Sequence, residues 1–301
     1  MNSTYSRQFR HTRTERGDAV TSISRPTAPD VVFAECELTA VQFTRITRWL
    51  YEHAGIRMRE GKEGLVRARL TRRLRTLGLT DFETYLQRVE SESDRCEFVE
   101  MIDVLTTNKT SFLREVAHFD YLRTSVLPSL TGSVRVWSVG CSTGEEAYTL
   151  AMLLNETYPH IATRDVRVLA TDISHRVLAT AKAAAYAADT MLDVPSPWVQ
   201  RYWTQREDAH GRPVYEAMPT LRRLVNFAKL NLMDTWPMQG PFDAIFCRNV
   251  MIYFDKDTQQ RLVERFWGML RPGGHLFVGH SESLTGLAHR FRYVQPAVYV
   301  K

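Results

Sequence analysis

The sequence predicts a doubly wound α/β domain preceded by a small all-α domain. The main observation is the stretch from Val134 to Met152, where a β-branched strand, a glycine-bounded turn and a helix follow one another. Further strand patterns follow, each ending in polar residues, as parallel strands do at a binding edge. From Leu38 to Thr107 the apolar residues instead recur at helical spacing. A chain of 301 residues is long enough for both domains.

The composition is typical of a globular protein from a reducing compartment. Hydrophobic residues make up 44% of the chain and charged residues 24%. No apolar run approaches the roughly 18 residues of a membrane span, and the N-terminus lacks the apolar core of a signal peptide. We therefore expect a cytoplasmic protein without membrane insertion. The cysteines show no CxxC pair and no histidine at zinc spacing, which predicts no structural metal; they are Cys36, Cys96, Cys141 and Cys247.

Residues 1–33 are rich in Arg, Ser and Thr and contain too few apolar residues to pack, which predicts a disordered tail. An organelle transit peptide is the alternative. Transit peptides are poor in acidic residues, so Glu15, Asp18 and Asp30 argue against it.

Residues 34–107 are expected to form four short helices, and the second carries most of the basic character of the chain. Eight basic residues lie between Arg57 and Arg75, against two acidic ones, whereas the whole chain has a net charge of +5. A solvated face is one interpretation. Since uncompensated charges on one helix repel each other, we favour docking onto an acidic partner. Four basic residues lie close to one face beside a buried apolar stripe: Lys62, Arg69, Arg72 and Arg73.

Residues 108–133 are predicted to be a linker and a helix, and the glycine turn follows the first strand at about residue 140. Such a turn brings backbone close to a ligand and leaves free N–H groups at the start of the next helix. The spacing of Gly140 and Gly144 is neither the dinucleotide fingerprint nor a P-loop. Glycines needed only for packing are the alternative.

The predicted α/β domain covers residues 134–301. Its second strand ends in Asp172, which is placed either to accept hydrogen bonds from ribose hydroxyls or to cap the next helix with Ser174. Residues 175–190 are predicted to be helical, and a small β-subdomain is expected at about 195–224. Later strands place further polar residues at the same edge, and a terminal antiparallel hairpin completes the domain; these residues are Asn231, Arg248 and Asn249.

Five motifs in this order resemble the CheR-type family of chemoreceptor glutamate methyltransferases: TNKTSFLRE, VWSVGCSTGEEAY, ATDIS, KLNL and FCRNVMIYFD. The basic helix RARLTRRLRTLGL belongs to the same resemblance, which extends from about Leu38 to the C-terminus. It implies an all-α N-terminal domain, a Rossmann-like S-adenosylmethionine domain and a β-subdomain insertion. Some members grip a receptor's C-terminal peptide with that subdomain, and the sequence leaves this point open.

The resemblance also implies a site and a partner. Arg114 and Tyr253 correspond to the residues nearest the transferred methyl group, although Tyr253 could be rim packing. The expected partner is the acidic helical bundle of a chemoreceptor's cytoplasmic domain, with no nucleic acid and a monomeric enzyme. The implied contacts to S-adenosylmethionine are Asn108, Thr110, Arg114, Glu146, Asp172, Asn231, Leu232, Arg248 and Asn249.

The chemistry is consistent with this family. A glutamate carboxylate is already ionised at neutral pH, so the nucleophile needs no general base. A nucleic-acid methyltransferase is the alternative suggested by the basic helix, but the [ND]PP[YF] pattern of such enzymes is absent. A non-catalytic module that responds to S-adenosylmethionine is the third hypothesis.

Overall fold

The computed structural model describes residues 36–301, except for residues 92–94 and 107. The tail predicted at residues 1–33 lies outside the described residues. The described residues belong to one compact unit, Glu35–Lys301. Within this part of the chain, no helix is both long and apolar enough to cross a membrane.

Four helices form the N-terminal part of the described chain, as predicted. The first begins at a capping box between Thr39 and Gln42 and ends at Gly55 in a left-handed conformation. The apolar stripe predicted on the second helix consists of Val66, Leu70, Leu74 and Leu77. The first three are buried in a core shared by all four helices, and Leu77 is half-buried against it. The helices are α1 (Ala40–Ala54), α2 (Glu63–Leu77), α3 (Phe82–Glu90) and α4 (Arg95–Leu105).

A short helix, α5 (Val116–Tyr121), leads from this helical part to the sheet. It continues through a π turn at Leu122–Val126 and a 3₁₀ turn at Leu127–Ser129. The helix predicted within residues 108–133 is therefore present but irregular. Phe112, just before it, is anchored in the core by edge contacts with the rings of Tyr186 and Trp203.

The remaining strands and helices build the α/β part. The strands in chain order are β1 (Val134–Val139), β2 (Val166–Asp172), β3 (Ala185–Ala187), β4 (Trp203–Glu207), β5 (Pro213–Ala217), β6 (Val225–Lys229), β7 (Phe242–Cys247), β8 (Leu270–Val278), β9 (Arg292–Gln295) and β10 (Val298–Val300). The helices are α6 (Glu145–Thr157), α7 (His175–Ala183), α8 (Ser196–Tyr202), α9 (Pro219–Arg222) and α10 (Lys256–Met269).

Seven strands form the main sheet in the order β6-β2-β1-β7-β8-β10-β9. The first five are parallel, and the last two add the predicted antiparallel hairpin. One apolar cluster contains Phe246 and Leu150, and a second, separate cluster contains Trp137 and Phe266. The fold is the Rossmann-like arrangement expected from the sequence, and the carboxyl ends of β1, β2 and β7 meet at one edge.

The small antiparallel sheet, in the order β3-β5-β4, begins earlier than predicted. The predicted start near residue 195 and the predicted helix to residue 190 are both wrong, because α7 ends at Ala183 and β3 begins at Ala185. The alanine-rich sequence favours helix, but tertiary packing overrides that preference. Tyr186 is buried against Tyr148, and its hydroxyl donates a hydrogen bond to the Thr143 carbonyl at 2.7 Å.

Candidate active site

A cleft of about 990 Å³, open solvent included, lies at the carboxyl ends of the central strands. Two residues of the helical part also line the cleft: Ala54, the last residue of α1, and Ile56, which follows it closely. Both parts of the chain therefore build the cleft. Every residue that the sequence assigned to the cofactor or to catalysis borders this one cleft: Asn108, Thr110, Arg114, Glu146, Asp172, Asn231, Leu232, Arg248, Asn249 and Tyr253.

The glycine turn after β1 forms the floor of the cleft. Gly140 has a φ of +65°, and a Cβ there would lie 2.5 Å from Val250 Cγ2. Gly144 has a φ of +97°, and its Cβ would lie 2.9 Å from Ala181 Cβ. Glycine is therefore required at both positions by packing as well as by backbone conformation. Packing therefore accounts for glycine at both positions, but Gly140 also lines the cleft, so packing is not its only role.

Asp172 braces the turn at the end of β2. One carboxylate oxygen accepts from the Ser142 N–H and the other from the Ser174 N–H, both at 2.9 Å. The cap of α7 is Ser174, whose hydroxyl accepts from the Val177 N–H. Burial raises the pKa of Asp172, and the two backbone hydrogen bonds oppose that rise. Each oxygen retains a lone pair, so bracing the turn is compatible with accepting a ribose hydroxyl.

Arg248 joins three segments of the cleft wall. Its guanidinium lies 3.0 Å from Glu146 Oε2 and 3.1 Å from Glu115 Oε2, and it also donates to the Arg114 carbonyl. Glu146 Oε1 accepts from the Ser138 hydroxyl at 2.6 Å. Arg248 and Glu146, both expected to contact the cofactor, are thus bonded to each other, and they fix the wall that faces the cleft.

The two carboxylates on Arg248 have opposite pKa shifts. Burial would raise the pKa of Glu115, but the charge and hydrogen bonding of Arg248 bring it below its usual value. Burial raises the pKa of Glu146 more than Arg248 lowers it. Glu115 therefore stays ionised to a lower pH than Glu146 does.

Tyr253 lies in a 3₁₀ turn, Met251–Tyr253, at the mouth of the cleft. Its carbonyl accepts from the Arg57 N–H at 2.8 Å, which ties the turn to the helical part of the chain. Burial raises the pKa of Tyr253, while Arg114 and Arg69 oppose the rise. The hydroxyl therefore stays neutral at physiological pH and can donate a hydrogen bond.

A second groove opens beside Tyr253. It is lined by Arg57, Arg59, Ile252 and Lys256, and it shares Tyr253 and Phe254 with the cofactor cleft. Tyr253 thus lies between the two spaces.

Sequence reasoning missed Glu282. Its carboxylate is buried and accepts the N–H groups of Asn249 at 2.7 Å, Ile252 at 3.1 Å and Gly279 at 2.6 Å. Asn249 itself has a φ of 58°, and the three hydrogen bonds hold its loop in that conformation. The rule that polar residues after a parallel strand lie at the binding edge would have found Glu282, because it follows β8 closely.

Glu115 was also missed, although it ends the motif TNKTSFLRE. It belongs to a group with His118 and His280 whose ligand-type atoms all lie within 4.8 Å of one another. Burial lowers the pKa of His118 to about 4, and Arg248 adds to that shift. Because the Arg248 guanidinium already pairs with Glu115, a divalent cation would meet a positive charge there. The expectation of no metal stays a prediction.

The docking face predicted on α2 is wrong in part. Arg73 pairs with the buried Glu97 at 2.7 Å, and the partly buried Arg69 donates to carbonyls at the end of α4. The excess charge of α2 is therefore partly compensated by groups of α4, which the sequence of α2 alone does not show. Lys62 and Arg72 are exposed as predicted.

The cleft fits S-adenosylmethionine. The side-chain nitrogen of Asn108 is buried without a hydrogen-bond partner from the described residues, which a bound ligand would satisfy. Asp172 offers free acceptor positions where a ribose would lie. Ile56, Ile173 and Leu232 add apolar surface of the kind that packs on an adenine ring.

The sheet is Rossmann-like, its second strand ends in a carboxylate, and the cleft lies at the same edge. These features define an α/β enzyme that binds a nucleoside cofactor. The chain belongs to the CheR methyltransferase family. Residues 42–106 match the family's all-alpha domain, and residues 108–300 match its S-adenosylmethionine-binding domain. The protein is an S-adenosylmethionine-dependent methyltransferase, as the motifs predicted.

Curated relatives support the assignment. The chain is 42% identical to a chemotaxis protein methyltransferase of Escherichia coli over 263 residues, or 87% of this chain and 91% of that protein. It is 42% identical to a probable chemotaxis protein methyltransferase of Rhizobium etli over 79% of this chain and 91% of that protein. A chemotaxis protein methyltransferase of Borreliella burgdorferi is 37% identical over 88% of this chain and 95% of that protein. The nucleic-acid alternative has no support among these relatives.

Proposed function

We propose that this protein methylates glutamate side chains on the cytoplasmic helices of chemoreceptors and so contributes to sensory adaptation. The observation that carries the proposal is the single cleft in which all the assigned residues of this methyltransferase family come together. The products are a glutamate methyl ester and S-adenosylhomocysteine. Relatives named chemotaxis protein methyltransferases support the receptor as the substrate.

The cofactor contacts follow from what each residue has available. Asn108 offers its unpartnered amide, and Thr110 lies beside it in the cleft. Asp172 accepts from the ribose, while Leu232 packs on the base. Asn231 contributes less through its side chain, because its amide nitrogen already donates to the His53 carbonyl at 2.6 Å.

The reaction needs alignment more than acid–base catalysis. When bound, S-adenosylmethionine supplies a methyl group activated by a positively charged sulfur. The receptor glutamate is ionised at neutral pH, so this chain has only to hold the carboxylate in line and exclude water. We assign that role to Arg114 and Tyr253, because a cation and a neutral hydroxyl can both donate to a carboxylate. His118 is too deeply buried to act as a base at the substrate.

The receptor helix is expected to approach along the groove beside Tyr253, with the exposed Lys62 and Arg72 meeting its acidic face. A substrate carboxylate entering from that groove would reach Tyr253 before the cofactor. The enzyme acts in the cytoplasm and as a monomer.

Methyl transfer from labelled cofactor tests the proposal. A purified receptor cytoplasmic fragment should take up label, and the same fragment with its surface glutamates replaced by alanine should not. RNA of equal concentration should stay unlabelled. Label on RNA with an unlabelled receptor would instead identify a nucleic-acid methyltransferase, and no transfer to either would favour the non-catalytic module.

A further inference from the structure

One basic side chain of α2 points at the end of α4 instead of at solvent. Arg69 Nη1 donates to the Leu105 carbonyl at 2.7 Å and to the Thr106 carbonyl at 3.0 Å. The Val104 carbonyl lies 3.5 Å away. Carbonyls at the end of a helix have no donor within that helix. Arg69 therefore caps α4 from the neighbouring helix, which is a favourable position for a cation.

The capped end leads directly into the cofactor cleft. Thr106 and Asn108 both line that cleft. On the other side, the Asn108 carbonyl accepts from the Ser142 hydroxyl of the glycine turn at 2.9 Å. Asn108 thus lies two residues beyond Thr106, whose carbonyl accepts from the arginine, and its own carbonyl is fixed to the turn after β1.

The end of α4 is also fixed to the sheet part of the chain. The Asp103 carboxylate accepts from the Arg176 N–H at 3.4 Å, and the Asp103 carbonyl accepts from the Arg176 guanidinium at 3.3 Å. Loss of the Arg69 cap would leave this anchor in place. The expected change is therefore a local shift of Thr106 and Asn108, with α4 still docked.

We propose that Arg69 is a positioning residue for the cofactor, setting the place of Asn108 in the cleft, and that it does not dock the receptor. The guanidinium already donates to backbone carbonyls of its own chain, so it has less to offer an acidic partner than the exposed Lys62 and Arg72. The inference rests on the proposed contact between Asn108 and S-adenosylmethionine, and it does not depend on which substrate is methylated.

The proposal predicts an effect on cofactor affinity in the absence of receptor. Arg69→Met keeps the aliphatic stem but removes the donors. It should weaken binding of S-adenosylhomocysteine roughly tenfold by titration calorimetry, as expected from losing charged hydrogen bonds that order a ligand-binding segment. Arg69→Lys keeps one charged donor and should restore part of that loss. In steady-state assays, Arg69→Met should raise the KM for S-adenosylmethionine more than the KM for receptor.

Arg73→Met is the matched control for damage to the packing of α2 on α4. Arg73 also joins these helices, through Glu97, but neither residue lines the cleft. This variant should unfold at a lower temperature yet bind S-adenosylhomocysteine as the wild type does. Equal loss of affinity in Arg69→Met and Arg73→Met would overturn the inference, since both would then act through general destabilisation.

Asn108→Ala separates this inference from the cofactor assignment on which it rests. If Asn108→Ala weakens binding and Arg69→Met does not, the cofactor assignment stands and Arg69 is not a positioning residue. If Asn108→Ala binds normally, the assigned contact itself is wrong. Should Arg69→Met fail to fold, Arg69→Gln decides the matter: it removes the charge that caps α4, and affinity equal to the wild type would then overturn the proposal.

Discussion

At the scale of single residues, buried polar groups determine the shape of the cleft. Glu282 gathers three backbone N–H groups around one carboxylate, and Arg248 holds two carboxylates and a carbonyl. Each such group is costly to bury unless its hydrogen bonds are made. The loops at the strand ends are therefore held in one conformation, and Tyr253 is presented at a fixed place.

Tyr253→Phe tests the assigned role of the hydroxyl. Turnover should fall roughly tenfold or more, since one hydrogen bond to the reacting carboxylate is lost, while cofactor affinity should change less than about twofold. Tyr51→Phe is the matched control, because Tyr51 donates to Asp255 at 2.7 Å and does not line the cofactor cleft. Full turnover in Tyr253→Phe would show that Tyr253 only packs at the rim of the cleft.

His118 makes the stability of the protein depend on pH. Burial lowers its pKa from 6.5 to about 4, so below about pH 6.5 the unfolded chain takes up a proton that the folded chain does not. The free energy of unfolding should therefore fall as the pH drops from about 6.5 to about 4, by up to about 1.4 kcal/mol per pH unit from this residue.

Urea unfolding across that range would measure the slope. His118→Gln should have a shallower slope than the wild type, although His275, whose pKa is also lowered to about 4 by burial, keeps part of it. An unchanged slope in His118→Gln would show that His118 is not the group responsible.

At the scale of elements, the basic helix α2 divides into two sets of charges. Arg69 and Arg73 contact α4, whereas Lys62 and Arg72 are exposed. Periodicity predicted the helix and its buried stripe, because those depend on residues three and four apart. It did not predict the partners, because Glu97 lies on another helix and only tertiary packing brings it to Arg73.

The Arg73–Glu97 pair should contribute measurably to stability. Glu97 is only 2% exposed, so removing its guanidinium partner leaves a buried carboxylate less well compensated. Arg73→Met should lower the free energy of unfolding by about 2 to 3 kcal/mol. Arg72→Met should change it by less than about 0.5 kcal/mol, as exposed substitutions usually do. Equal effects in the two variants, measured by urea unfolding, would show that the Arg73–Glu97 pair stabilises the fold no more than an exposed side chain does.

The small sheet illustrates the limit of local propensity. Alanines around residue 184 favour a helix, yet the chain leaves the helix there because Tyr186 is buried between Tyr148 and Trp203. No pattern within the segment indicates that those rings are near. Such elements form through long-range contacts, and for this reason the predicted start of the subdomain lies too late in the chain.

At the scale of the whole molecule, most of the cleft could be predicted, because parallel strands all bring their carboxyl ends to one edge. Asp172, Asn231 and Arg248 come from different strands and meet there for that reason alone. The contribution of the helical part was not predicted, since the approach of Ile56 depends on how that part packs on the sheet.

The exposed basic residues of α2 are proposed to dock the receptor. Reversing the exposed charges in Lys62→Glu with Arg72→Glu should raise the KM for receptor roughly tenfold at low salt and leave cofactor affinity unchanged. The wild type should lose activity as salt rises, because exposed charges are screened over about 8 Å at physiological ionic strength.

Arg167→Glu with Arg223→Glu makes the same change in net charge on an exposed surface away from the cleft, and serves as the control. The two double variants should differ clearly in the KM for receptor. If they behave alike, net charge and not a docking face governs the encounter.

The proposed product is a carboxyl methyl ester, and the stability of the transferred label to alkali distinguishes it from other methylated products. An ester is cleaved by mild base, whereas methyl groups on lysine, arginine or a base amine are not. Receptor labelled by this enzyme should release its label as methanol in mild alkali, with the rate of transfer falling only at acid pH as the acceptor glutamates protonate. Label that remains on the receptor after alkali would contradict the assignment of glutamate as the acceptor.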